Sequence, residues 1–136
     1  MASLYLHIPF CEHKCIYCDF YSIESLQGVD AFVDTLKKEI SMYDEYADRD
    51  SFETIFFGGG TPSLLPAKAV GEILDLLHQT FSVTADAEIT LESNPGTVDA
   101  SKLRDFRAAG VNRISFGVQS FFEDDLRFLT RIHSSK

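Results

Sequence analysis

The sequence predicts an α/β protein with a parallel sheet, and two observations support that fold class. Short apolar runs typical of β-strands alternate with longer stretches in which apolar residues recur at helical spacing. The first three predicted strands end at Pro9, at Gly58-Gly59-Gly60 and at Asn94-Pro95-Gly96, residue types that interrupt regular structure. Strands that alternate with helices pair in parallel through right-handed crossovers. The predicted order is βαβαβαβα, about four βα units.

The first half of the chain supplies two of these units. Residues 4–8 form the first predicted strand, which Pro9 ends. Apolar residues at helical spacing predict the first helix over residues 29–43. Residues 52–57 form the second predicted strand, and three consecutive glycines end it. The helix that follows has an apolar stripe through residues 70–81.

The second half supplies the other two units. Residues 87–91 form the third predicted strand and residues 103–109 the third helix, with Gly110 where helices commonly end. Residues 111–118 hold the fourth strand. Ser120 and the glutamate three positions later have the spacing of a capping box, which predicts the start of the fourth helix.

Four βα units form an open sheet but do not close a barrel of six or eight strands. We therefore expect residues 1–136 to be the N-terminal part of a longer protein whose C-terminal remainder is missing. Such a part would expose a sheet edge and apolar helix faces, and would aggregate or unfold with poor cooperativity. A small complete α/β domain is the alternative.

Composition and charge exclude several classes of protein. Apolar residues make up 45% of the 136 residues and charged residues 24%, close to a soluble globular average. No apolar run is long enough to span a membrane, and no export signal opens the sequence. The formal net charge of −9 disfavours nucleic acid as a partner. With clustered thiols, these features predict a cytoplasmic location.

Chemically unusual residues follow each of the four predicted strands. The first strand leads to Cys11, Cys15 and Cys18, and the second to a Gly-Gly-Gly-Thr stretch. Glu92 ends the third strand and Gln119 the fourth. Because ligands bind beyond the carboxyl ends of parallel strands, these residues are expected to meet on one rim.

The three cysteines allow three interpretations. At positions i, i+4 and i+7 they would share one face of a helix, as buried core thiols would. A structural zinc site would need a fourth ligand, for which His7 and His13 are the candidates. An iron–sulfur cluster held by three thiolates would leave one iron open to a ligand. Cysteines so closely spaced are more often metal ligands than core residues.

Several motifs in order resemble one protein family. The cysteine segment resembles the CxxxCxΦC signature of the radical S-adenosylmethionine (SAM) superfamily, where Φ is aromatic. The opening Leu-Tyr-Leu-His-Ile-Pro-Phe-Cys is similar to that of the oxygen-independent coproporphyrinogen III oxidase family. The same holds for Phe57-Gly-Gly-Gly-Thr-Pro-Ser63, Leu91-Glu-Ser-Asn-Pro95 and Asn112-Arg-Ile-Ser-Phe-Gly-Val-Gln-Ser120. The resemblance covers nearly the whole chain and implies a (β/α)6 partial barrel.

The resemblance also implies cofactors and site residues. Cys11, Cys15 and Cys18 would hold a [4Fe-4S] cluster whose open iron binds SAM. The other matching positions would contact SAM: Tyr5, Tyr17, Gly58, Gly59, Gly60, Thr61, Glu92, Gln119 and Arg131. Asp19, Asn94 and Ser120 are expected to support the site or form turns. The resemblance identifies no catalytic residue in this segment, and enzyme activity stays an open prediction.

One departure from the family points to a branch. The oxidase branch has a further cysteine two positions beyond the third cluster ligand, where this chain has Phe20. The resemblance therefore favours the HemW-like haem chaperones, which implies haem or a porphyrin, a haem-accepting protein and an electron donor as partners. Coproporphyrinogen oxidation is the alternative, and a zinc-stabilised structural domain the second. The haem ligand stays open among the chain's histidines.

Overall fold

The computed structural model describes residues 2–46 and 51–134. Its strands are β1 (Ala2–Ile8), β2 (Phe52–Gly59), β3 (Val83–Ser93) and β4 (Arg113–Phe116). Its helices are α1 (Val29–Met42), α2 (Ala67–Thr80), α3 (Ala100–Ala108) and α4 (Glu123–Phe128). The strands pair in parallel in the order β1-β2-β3-β4. The predicted α/β class with about four βα units is confirmed.

The strand register brings the carboxyl ends of all four strands to one edge. Ile8 pairs with Gly59, Phe57 with Leu91, and β3 and β4 end together at Ser93 and Phe116. The loops that leave these strands therefore start side by side. Within the described residues, β1 and β4 each have one unpaired edge, so the four strands form an open sheet.

The hydrophobic core lies between the sheet and the first three helices. Ile55 and Phe57 of β2 are fully buried, as are Ile73 and Leu77 of α2 and Phe106 of α3. Burying each such side chain contributes about 1.5–3 kcal/mol. This core fixes the sheet and hence the positions from which the four loops depart.

The fourth βα unit differs most from its prediction. The strand expected over residues 111–118 is only Arg113–Phe116, because the Val111 amide bonds the Phe106 carbonyl and closes the end of α3. The predicted capping box is wrong. Phe122 is the N-cap of α4, and no side chain caps that helix. Ser120 instead donates to Asp125 at 2.7 Å and accepts from the Phe122 amide.

In the part of the chain that the structure describes, no helix has the length and apolar character needed to span a membrane.

Candidate functional site

A cavity of about 320 Å³ lies at the carboxyl edge of the sheet. Its walls come from the loop after β1, from the ends of the other three strands and from Arg131, which follows α4. Among the predicted site residues, the structure brings these together around it: Cys11, Cys15, Tyr17, Cys18, Gly59, Gly60, Glu92, Gln119 and Arg131. Tyr5, Gly58 and Thr61 lie outside the cavity wall.

The cysteine loop is held against the sheet by backbone hydrogen bonds. The Cys11 amide donates to the Ile23 carbonyl at 3.0 Å, and the Ile23 amide donates to the Pro9 carbonyl at 2.6 Å. The Cys18 amide donates to the Cys15 carbonyl at 3.0 Å. Cys11 is buried, whereas the other two cysteines are half-buried, and all three are free thiols. The loop is not helical, so the thiols do not form one face of a core helix.

The thiols surround the cavity without meeting at one point. Among the described residues, no three His, Cys, Asp or Glu side chains form a group that could hold a metal ion. The proposed zinc ligands are engaged elsewhere: His7 contacts the Tyr21 carbonyl at 2.9 Å, and His13 lies 3.6 Å from Glu24. Zinc requires four ligands around one centre. An iron–sulfur cluster instead offers a separate iron to each thiolate, and the donor set fits such a group.

Arg131 joins three parts of the wall. Its Nη1 lies 3.3 Å from both the Cys15 sulfur and the Tyr17 hydroxyl. Its Nη2 donates to Asn94 Oδ1 at 2.7 Å and to the Gly117 carbonyl. The buried Nε has no hydrogen-bond partner among the described residues. A buried donor without a partner is costly, and this one lies in the wall of a polar cavity.

The backbone after α4 aims Arg131 at the cysteine loop. Thr130 has a φ of 55°, a left-handed conformation that is rare for a β-branched residue. The Thr130 and Arg131 amides bond back to the Arg127 and Leu126 carbonyls, which is the usual closure of a helix by glycine. Thr130 Oγ1 accepts from the Ile16 amide at 3.1 Å. The strained turn therefore contacts the cysteine loop at two successive residues.

Burial raises the pKa of Glu92 above its ordinary value, and a hydrogen bond from the Gly59 amide opposes the rise. The pKa of Tyr5 is raised by burial and, to a smaller extent, by the charge of Glu92. Burial also raises the pKa of Tyr17, against the lowering effect of Arg131. The cavity wall thus contains both a carboxyl group, that of Glu92, and a guanidinium, that of Arg131.

The glycine stretch is required by packing inside the protein. Gly59 has a φ of 111°, and a Cβ there would lie 2.7 Å from the His7 ring. A Cβ at Gly60 would lie 2.6 Å from the Phe10 carbonyl oxygen. Gly58 packs between the Tyr5 and Phe56 rings. The stretch lets β1 and the start of the cysteine loop approach β2, while Gly59 and Gly60 still face the cavity.

The sequence predicted no site role for Phe116 and Gly117, and only a supporting role for Asn94. Asn94, Phe116 and Gly117 line the cavity at the ends of β3 and β4. Asn94 was expected only to support the site or form a turn. Its position directly after the third strand, on the same rim as Glu92, could have identified it as a wall residue.

The comparisons with known proteins agree with the resemblance seen in the motifs. The radical SAM superfamily model matches residues 5–136. The chain is 50% identical over 134 residues to "Heme chaperone HemW" of Escherichia coli, covering 96% of this chain and 35% of that protein. It is 41% identical over 139 residues to "Heme chaperone HemW" of Bacillus subtilis, covering 100% and 36%.

A solved structure is also similar. The chain matches coproporphyrinogen III oxidase (HemN) from Escherichia coli, described there as a radical SAM enzyme, with a TM-score of 0.87 and 35% identity. The match covers 97% of this chain and 31% of that one. The chain thus spans about a third of the length of the proteins it matches.

Proposed function

The chain belongs to the radical SAM superfamily, and from that premise we propose that its rim binds a [4Fe-4S] cluster and SAM. The proposal is supported above all by the cavity wall, which contains three free thiols together with Glu92 and Arg131. Cys11, Cys15 and Cys18 would hold the cluster. A reduced cluster bound there would supply the electron that cleaves the sulfonium C–S bond of SAM.

The residues around the thiols are suited to the methionine part of SAM, which carries both an ammonium group and a carboxylate. The Arg131 guanidinium complements a carboxylate, and the Glu92 carboxylate, held by the Gly59 amide, complements an ammonium group. Tyr17 and Gln119 offer further contacts to SAM on the same wall. Tyr5, Gly58 and Thr61 lie behind the wall, so we propose that they act by positioning Glu92, the glycine stretch and Cys11.

We further propose that the whole protein is a haem chaperone of the HemW type. The 50% identical relative is named as one, and Phe20 stands where the oxidase branch has an extra cysteine. Haem, a haem-accepting protein and an electron donor would be its partners, and the cytoplasm its location. Residues 1–136 would form the first part of a (β/α)6 barrel. Oxidative decarboxylation of coproporphyrinogen is the second candidate, favoured by the 0.87 TM-score to HemN.

The cluster and SAM are tested by anaerobic reconstitution with iron and sulfide, followed by EPR of the reduced protein. We expect a four-iron signal that changes when SAM is added. Glu92→Gln should weaken the response to SAM. Glu88→Gln is the matched control, because Glu88 lies on the same strand, away from the cavity, and pairs with Arg113 at 3.5 Å. Bound zinc without a cluster would contradict the proposal.

The branch is tested by two assays on the reconstituted protein. Stoichiometric haem binding without loss of CO₂ from coproporphyrinogen supports the chaperone. SAM-dependent decarboxylation with weak haem binding supports the oxidase.

A further inference from the structure

Asn94 connects two parts of the cavity wall through both ends of its side-chain amide. Its Oδ1 accepts from Arg131 Nη2 at 2.7 Å, and its Nδ2 donates to Thr61 Oγ1 at 3.1 Å. The backbone is fixed as well, because the Thr97 amide and hydroxyl both donate to the Asn94 carbonyl. The amide is thus held in one orientation between an arginine and a hydroxyl.

The two groups that Asn94 holds each contact a cysteine. Thr61 is buried, and its Oγ1 lies 3.6 Å from the Cys11 sulfur. Arg131 Nη1 lies 3.3 Å from the Cys15 sulfur. Side-chain hydrogen bonds therefore form a continuous chain from Cys11 through Thr61, Asn94 and Arg131 to Cys15.

The direction of each hydrogen bond follows from the chemistry of the groups. Arginine can only donate, so the amide oxygen must face Arg131 and the amide nitrogen must face Thr61. Because Thr61 Oγ1 accepts that bond, its own proton is free to point at the Cys11 sulfur. The residue at the centre of this hydrogen-bond network must carry an acceptor and a donor in one short side chain. Asparagine has both, whereas aspartate lacks the donor.

We propose that Asn94 is a positioning residue that directs one hydrogen-bond donor onto Cys11 and another onto Cys15, and so tunes the cluster they would hold. Hydrogen bonds to the sulfurs of an iron–sulfur cluster raise its reduction potential by stabilising the added electron. The inference rests on the proposed function, since it needs a cluster on these thiols. It adds to the proposed site a residue, Asn94, that would act on the cluster through Thr61 and Arg131.

The test is the midpoint potential and EPR spectrum of the reconstituted cluster in two variants. Asn94→Ala removes both bonds, and Asn94→Asp keeps an acceptor for Arg131 but takes the Thr61 proton away from Cys11. We expect a more negative potential and altered g-values in both. Because Asn94→Ala adds no charge, its shift would show that the hydrogen bonds matter. Asn94→Asp should keep more of the response to SAM, since Arg131 stays in place.

Asn112→Asp is the matched control. Asn112 also uses both ends of its amide, accepting from the Ile89 amide and donating to the Ala87 carbonyl, each at 2.8 Å. It links β3 to the start of β4, away from the cavity. The substitution should lower stability and leave the potential and g-values unchanged.

A second measurement covers the case in which the Asn94 variants do not fold. Thr61→Val keeps the volume and removes the hydroxyl, so it should reproduce the negative shift. Adding Asn94→Ala to it should shift the potential by less than the sum of the two single changes. If the wild-type protein binds a cluster but the Thr61 and Asn94 variants have unchanged midpoint potentials, this inference is overturned and the proposed function stays intact. A wild-type protein that takes up no cluster would overturn both.

Discussion

The scaffold of the sheet and the rim at its carboxyl edge are built by different forces. In the scaffold, apolar side chains such as Ile55, Ile73 and Leu77 are fully buried and stabilise the fold by leaving water. In the rim, hydrogen bonds among polar side chains and backbone hold the wall. The rim also contains Gln119 and Thr130, non-glycine residues with positive φ.

The scaffold therefore stabilises the fold, whereas several features of the rim destabilise it. Strained backbone persists only where the surrounding structure enforces it. Of the two strained residues, Gln119 lines the cavity, and Thr130 directly precedes Arg131, which also lines it. The half-buried Glu92 carboxyl adds a further cost, since burial opposes its ionisation. We therefore expect substitutions in the scaffold to change stability and substitutions in the rim to change ligand binding first.

The largest effect should come from the scaffold. Phe57→Ala removes a ring that is fully buried in β2, and should lower the free energy of unfolding by about 3–5 kcal/mol. Phe128→Ala is the control, because that ring is 75% exposed; its effect should stay within about 0.5 kcal/mol. Urea denaturation followed by circular dichroism measures both. Equal effects would erase the distinction between scaffold and surface.

Alanine substitutions at two glycines, one at the rim and one in a scaffold helix, should have opposite effects on stability. Gly60→Ala would place a Cβ 2.6 Å from the Phe10 carbonyl, and should cost roughly 1–3 kcal/mol while displacing the cysteine loop. Gly71→Ala, inside α2, would place its Cβ at an ordinary 3.5 Å from Ala109. It should instead stabilise the protein by about 0.5–1 kcal/mol. A stable Gly60→Ala protein with normal cluster uptake would contradict this account.

Two carboxyl groups should respond to pH in opposite directions. The pKa of Glu92 is raised in the folded chain, so its ionisation destabilises the fold increasingly as pH rises above its ordinary value of 4.5 and through the raised one. Asp99 caps α3, and the Lys102 amide lowers its pKa. The ionised Asp99 carboxylate therefore stabilises the fold at pH values above its ordinary pKa of 3.8. This stabilisation is lost as the pH falls through the lowered pKa of the folded chain.

Melting temperatures of ligand-free Glu92→Gln and Asp99→Asn proteins between about pH 3 and 7 check these signs. Glu92→Gln should melt slightly above the wild type near pH 7 and equal to it at low pH. Asp99→Asn should melt below the wild type near pH 7, with the gap closing in acid. A lower melting temperature for Glu92→Gln at pH 7 would show that this rim carboxylate stabilises the fold.

The smallest effect on stability is expected at Thr130. Thr130→Gly relieves the left-handed strain of about 1–3 kcal/mol but loses the bond to the Ile16 amide, worth about 1 kcal/mol. The net change in stability should be small. Hydrogen exchange of the Ile16 amide should become faster, since its acceptor is gone. Unchanged exchange there would show that Thr130 does not hold the cysteine loop.

Most of the strands and helices could be predicted because their signals are local. The apolar stripe of α2 and the glycine after α3 are read directly from the chain, and both ends of those helices lie close to prediction. The capping box at Ser120 failed because a tertiary arrangement gave that hydroxyl another partner, Asp125. The fourth strand was overextended because residues at both its ends are used in turns.

The order of the strands and helices and the rim on which the unusual residues lie could be read from the sequence alone. These follow from periodicity, from turn residues and from the rule that parallel strands end at one edge. Which of those residues share a cavity wall depends on the three-dimensional packing. It placed Tyr5 and Thr61 behind the cavity and Asn94 between Arg131 and Thr61. Such contacts join residues far apart in the chain, and their distances depend on how strands and loops pack, which no local pattern encodes.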